Sequence, residues 1–177
     1  MRFFWDIRPL TANPSDSDVH HYECDISDAK AVEAVADRVK NEVGDPTIII
    51  NNVEVANGTF IIDLNPSEIQ RFGVNIMAHF HLLKAFLPTL IELKNGYIVS
   101  TISIVNLDII TKLIAIICFY LFLSSQVTVA SILGTFGVCQ ASDYCTSKAA
   151  VLSLHESLEL DCRFLNILIP TVSFFIE

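Results

Sequence analysis

Hydrophobic positions in the first third of the chain recur with two different periods. Between Ser27 and Gly44, valine and alanine residues return every three or four positions, which predicts a helix with one buried face. Residues 47–50, Thr-Ile-Ile-Ile, form an uninterrupted β-branched run, which predicts a central parallel strand covered on both faces. Asn51 and Asn52 follow this run, so polar side chains stand directly after the predicted strand.

The start of a second, longer helix is visible in the sequence. Asn65 supplies a cap, Pro66 suits the first helical position, and Glu68 places an acid in the first turn. Isoleucine, phenylalanine and leucine residues then recur at helical spacing as far as Leu93. We therefore expect one long helix over residues 65–93.

The remaining elements complete an alternating order of strands and helices. Tyr97 and Ile98 begin another strand, residues 143–165 predict a helix, and residues 166–169 predict a short apolar strand. Such alternation is typical of a parallel, doubly wound α/β sheet. Ligands bind such sheets outside the carboxyl ends of the strands, so the polar residues that follow each strand are the candidates for a site.

Composition and charge narrow the class of protein. A chain of 177 residues, of which 52% are hydrophobic, with a mean hydropathy of +0.51, is expected to fold as a single domain. The net charge of -9 and the scattered positions of the eleven lysine and arginine residues argue against a nucleic-acid partner. The N-terminal sequence is typical of a strand and not of a signal peptide.

Neither a disulfide framework nor a metal site is expected. The five cysteines include no C-x-x-C pair, which favours reduced thiols facing a cytosol. His20 and His21 are adjacent, and His79 and His81 are two positions apart, so neither pair shares a helix face. Core or solvated histidines are a sufficient explanation of all four.

The strongest candidate for chemistry is a tyrosine and a lysine on the last predicted helix. Tyr144 and Lys148 stand four positions apart and therefore share one helical face. A phenol has a reference pKa near ~10, and a cation held nearby favours the phenolate and lowers that pKa. A tyrosine tuned in this way can move a proton to or from an alcohol. An exposed helical pair is the alternative interpretation of the spacing alone.

A serine at the end of a predicted strand strengthens the chemical interpretation. Residues 127–131, Val-Thr-Val-Ala-Ser, are rich in β-branched residues and end in Ser131, thirteen positions before Tyr144. Strand, hydroxyl, loop and helix therefore follow one another in the order that a site at the carboxyl edge of the sheet requires.

Together these residues resemble the short-chain dehydrogenase/reductase family, in particular its branch of membrane-associated retinol and 17-beta-hydroxysteroid dehydrogenases. The family's catalytic serine and Tyr-x-x-x-Lys correspond to Ser131, Tyr144 and Lys148, and its upstream asparagine corresponds to Asn75. The resemblance implies that Tyr144 is the general acid/base and that Ser131 hydrogen-bonds the substrate oxygen. It also implies that Lys148 binds the nicotinamide ribose and lowers the tyrosine pKa, while Asn75 supports a water path to the lysine.

The resemblance extends less completely to the residues that contact the nicotinamide cofactor. Asp6 corresponds to the acidic residue that takes the adenosine ribose hydroxyls, which favours NAD over NADP, although the nearby Arg8 weakens that preference. Asp25 corresponds to the residue beside the adenine. The implied cofactor-binding residues are Asp6, Asp25, Asn51, Asn52, Tyr144, Lys148 and Pro170.

One position departs from the family in a way that concerns the cofactor. The family's Asn-Asn-Ala-Gly is replaced here by Asn51, Asn52, Val53 and Glu54. Glycine permits close backbone approach and a positive φ, whereas glutamate brings bulk and negative charge beside an anionic cofactor. Impaired cofactor binding is the expected consequence.

The resemblance covers only part of the family's fold. No G-x-x-x-G-x-G turn, whose backbone N–H groups would receive the cofactor pyrophosphate, is present in the sequence. The resemblance begins at the family's second strand and stops near Pro170, before the substrate region. We therefore expect a single, incomplete Rossmann-like domain over residues 1–177.

Residues 99–126 have no counterpart in the family and are expected to be an apolar insertion. Deleting them joins Ile98 to Val127 and restores one continuous fifth strand. The favoured hypothesis is a translated, unspliced intron, because residues 119–126 are what a pyrimidine-rich tract closing in CAG would encode. A membrane-inserting helix over residues 109–123 and a lineage-specific loop are the alternatives.

The function implied by the resemblance is NAD(P)-dependent oxidation of the CH–OH group of a lipophilic alcohol, or reduction of the matching carbonyl. A retinoid, a steroid or a fatty alcohol is the implied substrate class. An inactive truncated remnant and a small membrane-associated protein anchored by residues 109–123 are the alternatives. The resemblance also suggests a homodimer formed through the helices at residues 65–93 and 143–165. The expected location is the cytoplasmic side of the endoplasmic reticulum or of lipid droplets.

Overall fold

The computed structural model describes residues 2–8, 19–93, 97–101, 125–166 and 171–176. In chain order its main elements are β1 (Arg2–Asp6), β2 (Val19–Glu23), α1 (Ala29–Glu42), β3 (Ile48–Asn51), α2 (Pro66–Leu93), β4 (Tyr97–Thr101), β5 (Ser125–Ser131), α3 (Ser142–Phe164) and β6 (Thr171–Ile176). Short 3-10 turns precede α2 at Ile61–Asp63 and follow β5 at Ile132–Gly134.

The strand pairs among the described residues are all parallel, as the alternating pattern predicts. β1 pairs with β2, and the other four strands lie side by side in the order β3-β4-β5-β6. Parallel neighbours require a crossover connection, which α2 provides between β3 and β4 and α3 provides between β5 and β6. The Rossmann-like α/β class is therefore confirmed, with the β1–β2 pair separate from the four-stranded sheet.

The first predicted helix is confirmed as α1. Asp28 caps it, because its carboxylate accepts hydrogen bonds from the backbone N–H groups of Lys30 and Ala31. The helix ends before Gly44, which adopts a φ of +104°. Its buried face consists of Val32, Val35, Ala36 and Val39.

The second predicted helix is confirmed as α2, and its predicted start is correct in atomic detail. The Asn65 side chain accepts from the N–H of Glu68 at 3.1 Å, and the Glu68 carboxylate accepts from the N–H of Asn65 at 2.9 Å. This reciprocal pair is a capping box. Among the described residues, α2 is the helix long and apolar enough to cross a membrane by length and composition.

One buried cluster joins the two sheets. It contains Tyr22, Cys24, Ile26, Val32, Val35, Ala36, Val39, Ile49, Ala78, Leu82, Phe86, Leu90 and Ile98. Trp5 of β1 packs against Phe86 of α2, with ring centroids 5.9 Å apart. α1 and α2 contribute to the same cluster as β2, β3 and β4. Burial of these apolar side chains therefore holds the three strands in place relative to one another.

The prediction that the strand at residues 47–50 is covered on both faces is wrong. Ile49 is 8% exposed, whereas Ile48 and Ile50 on the opposite face are 37% and 42% exposed. β3 is an edge strand of the four-stranded sheet, and its buried face packs against α2. A continuous apolar run therefore does not prove burial on both faces, because alternate residues of a strand point to opposite sides.

The expected single fifth strand is two strands in the structure. β4 and β5 pair with each other in register, with Tyr97 opposite Ser125 and Val99 opposite Val127. Residues 99–101 and 125–126, at the two ends of the expected insertion, therefore belong to the sheet. Residues 102–124 lie outside the described part of the chain, and with them the segment 109–123. The intron, membrane-helix and loop hypotheses therefore stay predictions.

The end of the chain is predicted in part. The helix expected at residues 143–165 is confirmed as α3, but Asn166 is in a turn with a φ of +56° and not in a strand. Asparagine tolerates this left-handed conformation, which often follows a helix. The last strand is β6, Thr171–Ile176, which pairs with β5, whereas residues 167–170 lie outside the described residues.

Candidate active site

The candidate catalytic tyrosine and lysine lie together in the interior. Tyr144 and Lys148 occupy the first turns of α3 and are 6% and 2% exposed. The Nζ atom of Lys148 lies 4.9 Å from the centroid of the Tyr144 ring. This distance is that of a cation–π contact. The spacing therefore places both side chains on one face, and the interpretation as an exposed helical pair is wrong.

A glutamate that follows β3 is paired with this lysine. The Oε2 atom of Glu54 lies 3.4 Å from Nζ of Lys148, and both side chains are largely buried. Burial lowers the pKa of Lys148, and the Glu54 carboxylate partly offsets that shift. The second carboxylate oxygen of Glu54, Oε1, is buried without a hydrogen-bond partner among the described residues.

Asn75 fixes the backbone of the segment that carries Glu54. Its Oδ1 accepts from the N–H of Val55 at 2.7 Å, and its Nδ2 donates to the carbonyl oxygen of Val55, also at 2.7 Å. Nδ2 also donates to the hydroxyl of Ser147 at 3.1 Å. Asn75 is 2% exposed, so its amide joins the β3–α2 connection to α2 and α3 inside the protein. Its implied part in a water path stays a prediction.

A second contact attaches the same connection to the start of α3. Nδ2 of Asn57 donates to Oδ2 of Asp143 at 2.7 Å, one residue before Tyr144. The connection is thus held at Val55 and at Asn57, directly after Glu54. Neither contact was expected from the sequence, because the partners are far apart along the chain.

Ser131 ends β5, and the turn that follows it packs closely on α3. A Cβ atom at Gly134 would lie 2.8 Å from Cδ1 of Leu152 and 3.2 Å from the backbone carbon of Lys148. Only glycine permits this approach. The structure therefore brings the backbone after Ser131 against the helix that carries Tyr144 and Lys148, whereas the Ser131 side chain lies outside the described residues.

Two predicted cofactor residues lie at or just after the ends of β1 and β2, Asp6 half-buried and Asp25 exposed, and each accepts hydrogen bonds from a neighbour. The Asp6 carboxylate accepts from the backbone N–H and from Nε of Arg8, at 2.9 and 3.2 Å, and the side-chain hydrogen bond from Arg8 is the main reason that the pKa of Asp6 is lowered. Oδ1 of Asp25 accepts from the hydroxyl of Ser27 at 2.6 Å, which lowers the pKa of Asp25. Both carboxylates are ionised acceptors at neutral pH.

Of the two asparagines at the end of β3, one is buried and the other is exposed. Asn51 is 4% exposed, and its Oδ1 accepts from the N–H of Val53 at 3.2 Å. Asn52 is exposed. Pro170, the last of the predicted cofactor residues, lies outside the described part of the chain.

Two buried histidines contact each other near the site, and the sequence analysis does not predict this contact. His79 follows Asn75 by one helical turn on α2, and His155 follows Lys148 by two turns on α3. Their rings meet edge to face with centroids 6.0 Å apart. Burial lowers the pKa of His79 to about 3 and that of His155 to about 4, so both are neutral at physiological pH. Helical spacing from Asn75 and Lys148 was the available signal in the sequence.

The site fits one end of a nicotinamide cofactor better than the other. Asp6 and Asp25, at the ends of β1 and β2, offer carboxylates to hydroxyl and amine groups. Lys148, which should face the ribose next to the nicotinamide, is instead paired with Glu54. Among the described residues no cluster of three metal-ligating side chains is present.

The sequence of the chain is similar to those of known proteins. A family model described as short chain dehydrogenase matches residues 8–114. The chain is 36% identical over 146 residues to retinol dehydrogenase 10-B of Danio rerio, covering 82% of this chain and 35% of that protein. It is 34% identical over 152 residues to short-chain dehydrogenase/reductase family 16C member 6 of Bos taurus, covering 85% of this chain and 39% of that protein. The chain thus spans well under half the length of these relatives.

Solved structures show the same fold. A short-chain dehydrogenase/reductase from Burkholderia phymatum in complex with NAD superimposes with a TM-score of 0.68 at 24% identity, covering 89% of this chain and 47% of that one. A metagenomic short-chain oxidoreductase in complex with NADP gives a TM-score of 0.64 at 23% identity, covering 88% of this chain and 58% of that one. At this identity the likeness concerns the fold.

Proposed function

The chain belongs to the short-chain dehydrogenase family, and from this premise we propose that it is an NAD(P)-dependent oxidoreductase acting on a CH–OH group or the matching carbonyl. Tyr144 is the general acid/base. The observation that supports this most is the burial of Tyr144 and Lys148 on one face of α3, with the ammonium 4.9 Å from the phenol ring.

Each candidate side chain has a separate task in the proposal. Tyr144 passes its phenolic proton to a carbonyl oxygen during reduction and recovers it from the alcohol during oxidation. Ser131 donates a hydrogen bond to that same oxygen, and Lys148 favours the phenolate by its charge. Asn75 keeps the β3–α2 connection in place. A bound nicotinamide would accept or supply the hydride.

The substrate proposal is a lipophilic alcohol. It rests on the relatives, several of which are named retinol dehydrogenases. Retinol, a steroid alcohol and a long-chain alcohol are the compounds to compare.

The cofactor proposal is NAD in preference to NADP. It rests on Asp6, because a carboxylate at the end of β1 accepts ribose hydroxyls and repels an additional phosphate. Arg8, which now donates to Asp6, would be drawn to such a phosphate. Arg8→Ala should therefore weaken any residual NADP binding more than NAD binding, and an equal effect on both would contradict this role of Arg8.

Hydride transfer with a matched variant tests the proposed activity. The purified chain is incubated with deuterated NADH and retinal, and deuterium in the retinol product is measured by mass spectrometry. Tyr144→Phe keeps the ring and removes only the hydroxyl, and it should lower the rate by roughly 100-fold or more. Transfer at the same rate in Tyr144→Phe, or bound cofactor without any transfer in the unmodified chain, would contradict the proposal.

A second candidate function, a non-catalytic protein, is favoured by one observation. The charge of Lys148 is already neutralised by Glu54, so the lysine has a counter-ion without any bound cofactor. This candidate predicts normal folding with no measurable affinity for either dinucleotide.

Two further expectations remain proposals. An apolar groove of about 750 Å³ lies between α2 and α3, lined among others by Phe80, Leu83 and Leu154, and a second copy of the chain would cover it. Light scattering of the purified chain should then give twice the monomer mass. Attachment to the cytoplasmic face of the endoplasmic reticulum or to lipid droplets through residues 109–123 is tested by fractionating cells that express this segment on a reporter.

A further inference from the structure

We propose that Glu54 is a resident counter-ion of Lys148 that competes with the nicotinamide cofactor for this amine, so that the site as built disfavours the cofactor. The inference rests on the proposed role of Lys148 in binding the ribose. The Oε2–Nζ distance is 3.4 Å, and the two side chains are 13% and 3% exposed. Little water therefore screens their attraction.

The position of Glu54 is set by the fold and not by a flexible side chain alone. The adjacent residue, Val55, is held by both polar ends of the Asn75 amide, and Asn75 is itself bonded to Ser147 of α3. Asn57 holds the same connection to Asp143. On the other side of Glu54, the N–H of Val53 donates to Oδ1 of Asn51 at 3.2 Å. Glu54 is thus presented to Lys148 from a backbone that is held before and after it.

Release of Lys148 to a ribose would leave a costly arrangement behind. Oε1 of Glu54 is already buried without a hydrogen-bond partner among the described residues, and loss of Lys148 would take the ion pair from Oε2 as well. A buried carboxylate without a counter-ion is strongly disfavoured. The incoming cofactor also carries negative charge, which the carboxylate repels. Both effects act in the same direction.

Cofactor titration of matched variants tests the proposal. NADH binding to the full 177-residue chain is followed by nicotinamide fluorescence for the unmodified protein, Glu54→Gln, Glu54→Ala and Glu92→Gln. Glu54→Gln keeps the size of the side chain and removes its charge, whereas Glu92 is an exposed acid at the end of α2 and serves as the control. We expect Glu54→Gln and Glu54→Ala to bind roughly 10-fold tighter or better, and Glu92→Gln to bind like the unmodified chain.

Three binding results would overturn the proposal. The first is an unmodified chain that binds as tightly as Glu54→Gln. The second is a gain in Glu54→Ala alone, which would mean that bulk and not charge excludes the cofactor. The third is an equal gain in Glu92→Gln, which would mean that overall charge is responsible. Circular dichroism of each variant confirms that the compared proteins are folded.

A second measurement reads the ion pair without any cofactor. In the chain labelled with 15N-lysine, the Nζ resonance of Lys148, assigned with Lys148→Met, is titrated with pH. Removal of the carboxylate should lower the pKa of Lys148 further, because Glu54 now opposes the effect of burial. An identical titration in Glu54→Gln would show that the pair is absent and would overturn the inference.

The outcomes for Glu54 and for the proposed oxidoreductase are separable. A Glu54→Gln variant that binds NADH tightly but transfers no hydride would leave the counter-ion role standing and contradict the activity. Transfer that depends on Tyr144 in the unmodified chain, with no gain in Glu54→Gln, would do the reverse.

Discussion

Two buried histidines should make this fold sensitive to mild acid. His79 and His155 are 4% and 1% exposed, and burial lowers their pKa values from 6.5 to about 3 and about 4. The unfolded chain therefore binds more protons than the folded chain below pH 6.5. Stability contributed by the neutral histidines is complete above that pH and is lost as the pH falls toward the folded pKa values.

The magnitude follows from these pKa values. Between pH ~7.5 and pH ~5 both folded histidines stay neutral, so protonation of the unfolded chain lowers the free energy of unfolding by about 2 kcal/mol for each. The total of about 4 kcal/mol is a large share of the roughly 5–15 kcal/mol that stabilises a typical domain.

His155→Leu separates one histidine from the other. Both ring nitrogens of His155 lack a hydrogen-bond partner among the described residues, so a leucine removes the titrating group without breaking a hydrogen bond there. Urea unfolding is followed by circular dichroism at several pH values. The variant should lose less stability on acidification, by about 1.4 kcal/mol per pH unit below pH ~6, since one proton fewer is taken up.

The remaining titrating groups are common to both proteins. His155 contributes to the lowered pKa of His79, but burial is the larger cause, so His79 stays neutral in the variant and cancels in the difference. At neutral pH, His155→Leu should be as stable as the unmodified chain or more stable, because two unpaired polar atoms leave the interior. Stability curves that fall in parallel from pH ~7.5 to pH ~5 would refute the assignment of a neutral, buried His155.

Two more substitutions test how the fold positions the site. Gly134→Ala forces a Cβ to within 2.8 Å of Leu152 and 3.2 Å of the Lys148 backbone, so it should lower the free energy of unfolding by about 1–3 kcal/mol. It should also reduce Tyr144-dependent hydride transfer. Gly137→Ala is the control, because a Cβ at Gly137 meets no atom within 4 Å, and it should have a smaller effect on both. Asn65→Ala removes the cap of α2 and should cost about 1 kcal/mol in urea unfolding; no change would show that the capping box is not formed in solution.

Features that depend on residues close together in the sequence, such as helix caps and helical spacing, are predictable. Asn65 and Glu68 cap α2 as expected, and the four-residue spacing of Tyr144 and Lys148 does place both on one buried face. These features depend on residues at most one helical turn apart. The alternation of strands and helices likewise gave the parallel α/β class, because a crossover helix leaves a clear pattern in sequence.

Features that depend on distant partners were not predictable. The pairing of Glu54 with Lys148 joins a loop to a helix, and the edge-to-face contact of His79 with His155 joins two helices. The pairing of Glu54 leaves no periodic signal, and the helical spacing of the two histidines from Asn75 and Lys148 does not show that their rings meet. The sequence identifies Glu54 only as bulk and charge near a cofactor, because its partner Lys148 lies far away along the chain.

The coverage of β3 and the number of strands on either side of residues 102–124 both depend on neighbouring strands, which the sequence pattern does not specify. The apolar run at residues 47–50 is equally compatible with a central strand and with the edge strand observed. The β-branched runs before and after residues 102–124 are compatible with one interrupted strand or with two parallel neighbouring strands. In either arrangement β3 lies on one side and β6 on the other, so the outer hydrogen bonds are the same. Sequence pattern alone does not choose between these pairings.

A crystal structure of the chain, with the electron density of Ser131 and Tyr144 resolved, tests the proposed chemistry most directly. A single substrate oxygen must accept hydrogen bonds of about 2.7–3.0 Å from both hydroxyls. We therefore predict the Ser131 Oγ and Tyr144 Oη atoms on the same side of the sheet, within about 6 Å of each other. Hydroxyls that point to opposite sides of the sheet would contradict a dehydrogenase site built on these two residues.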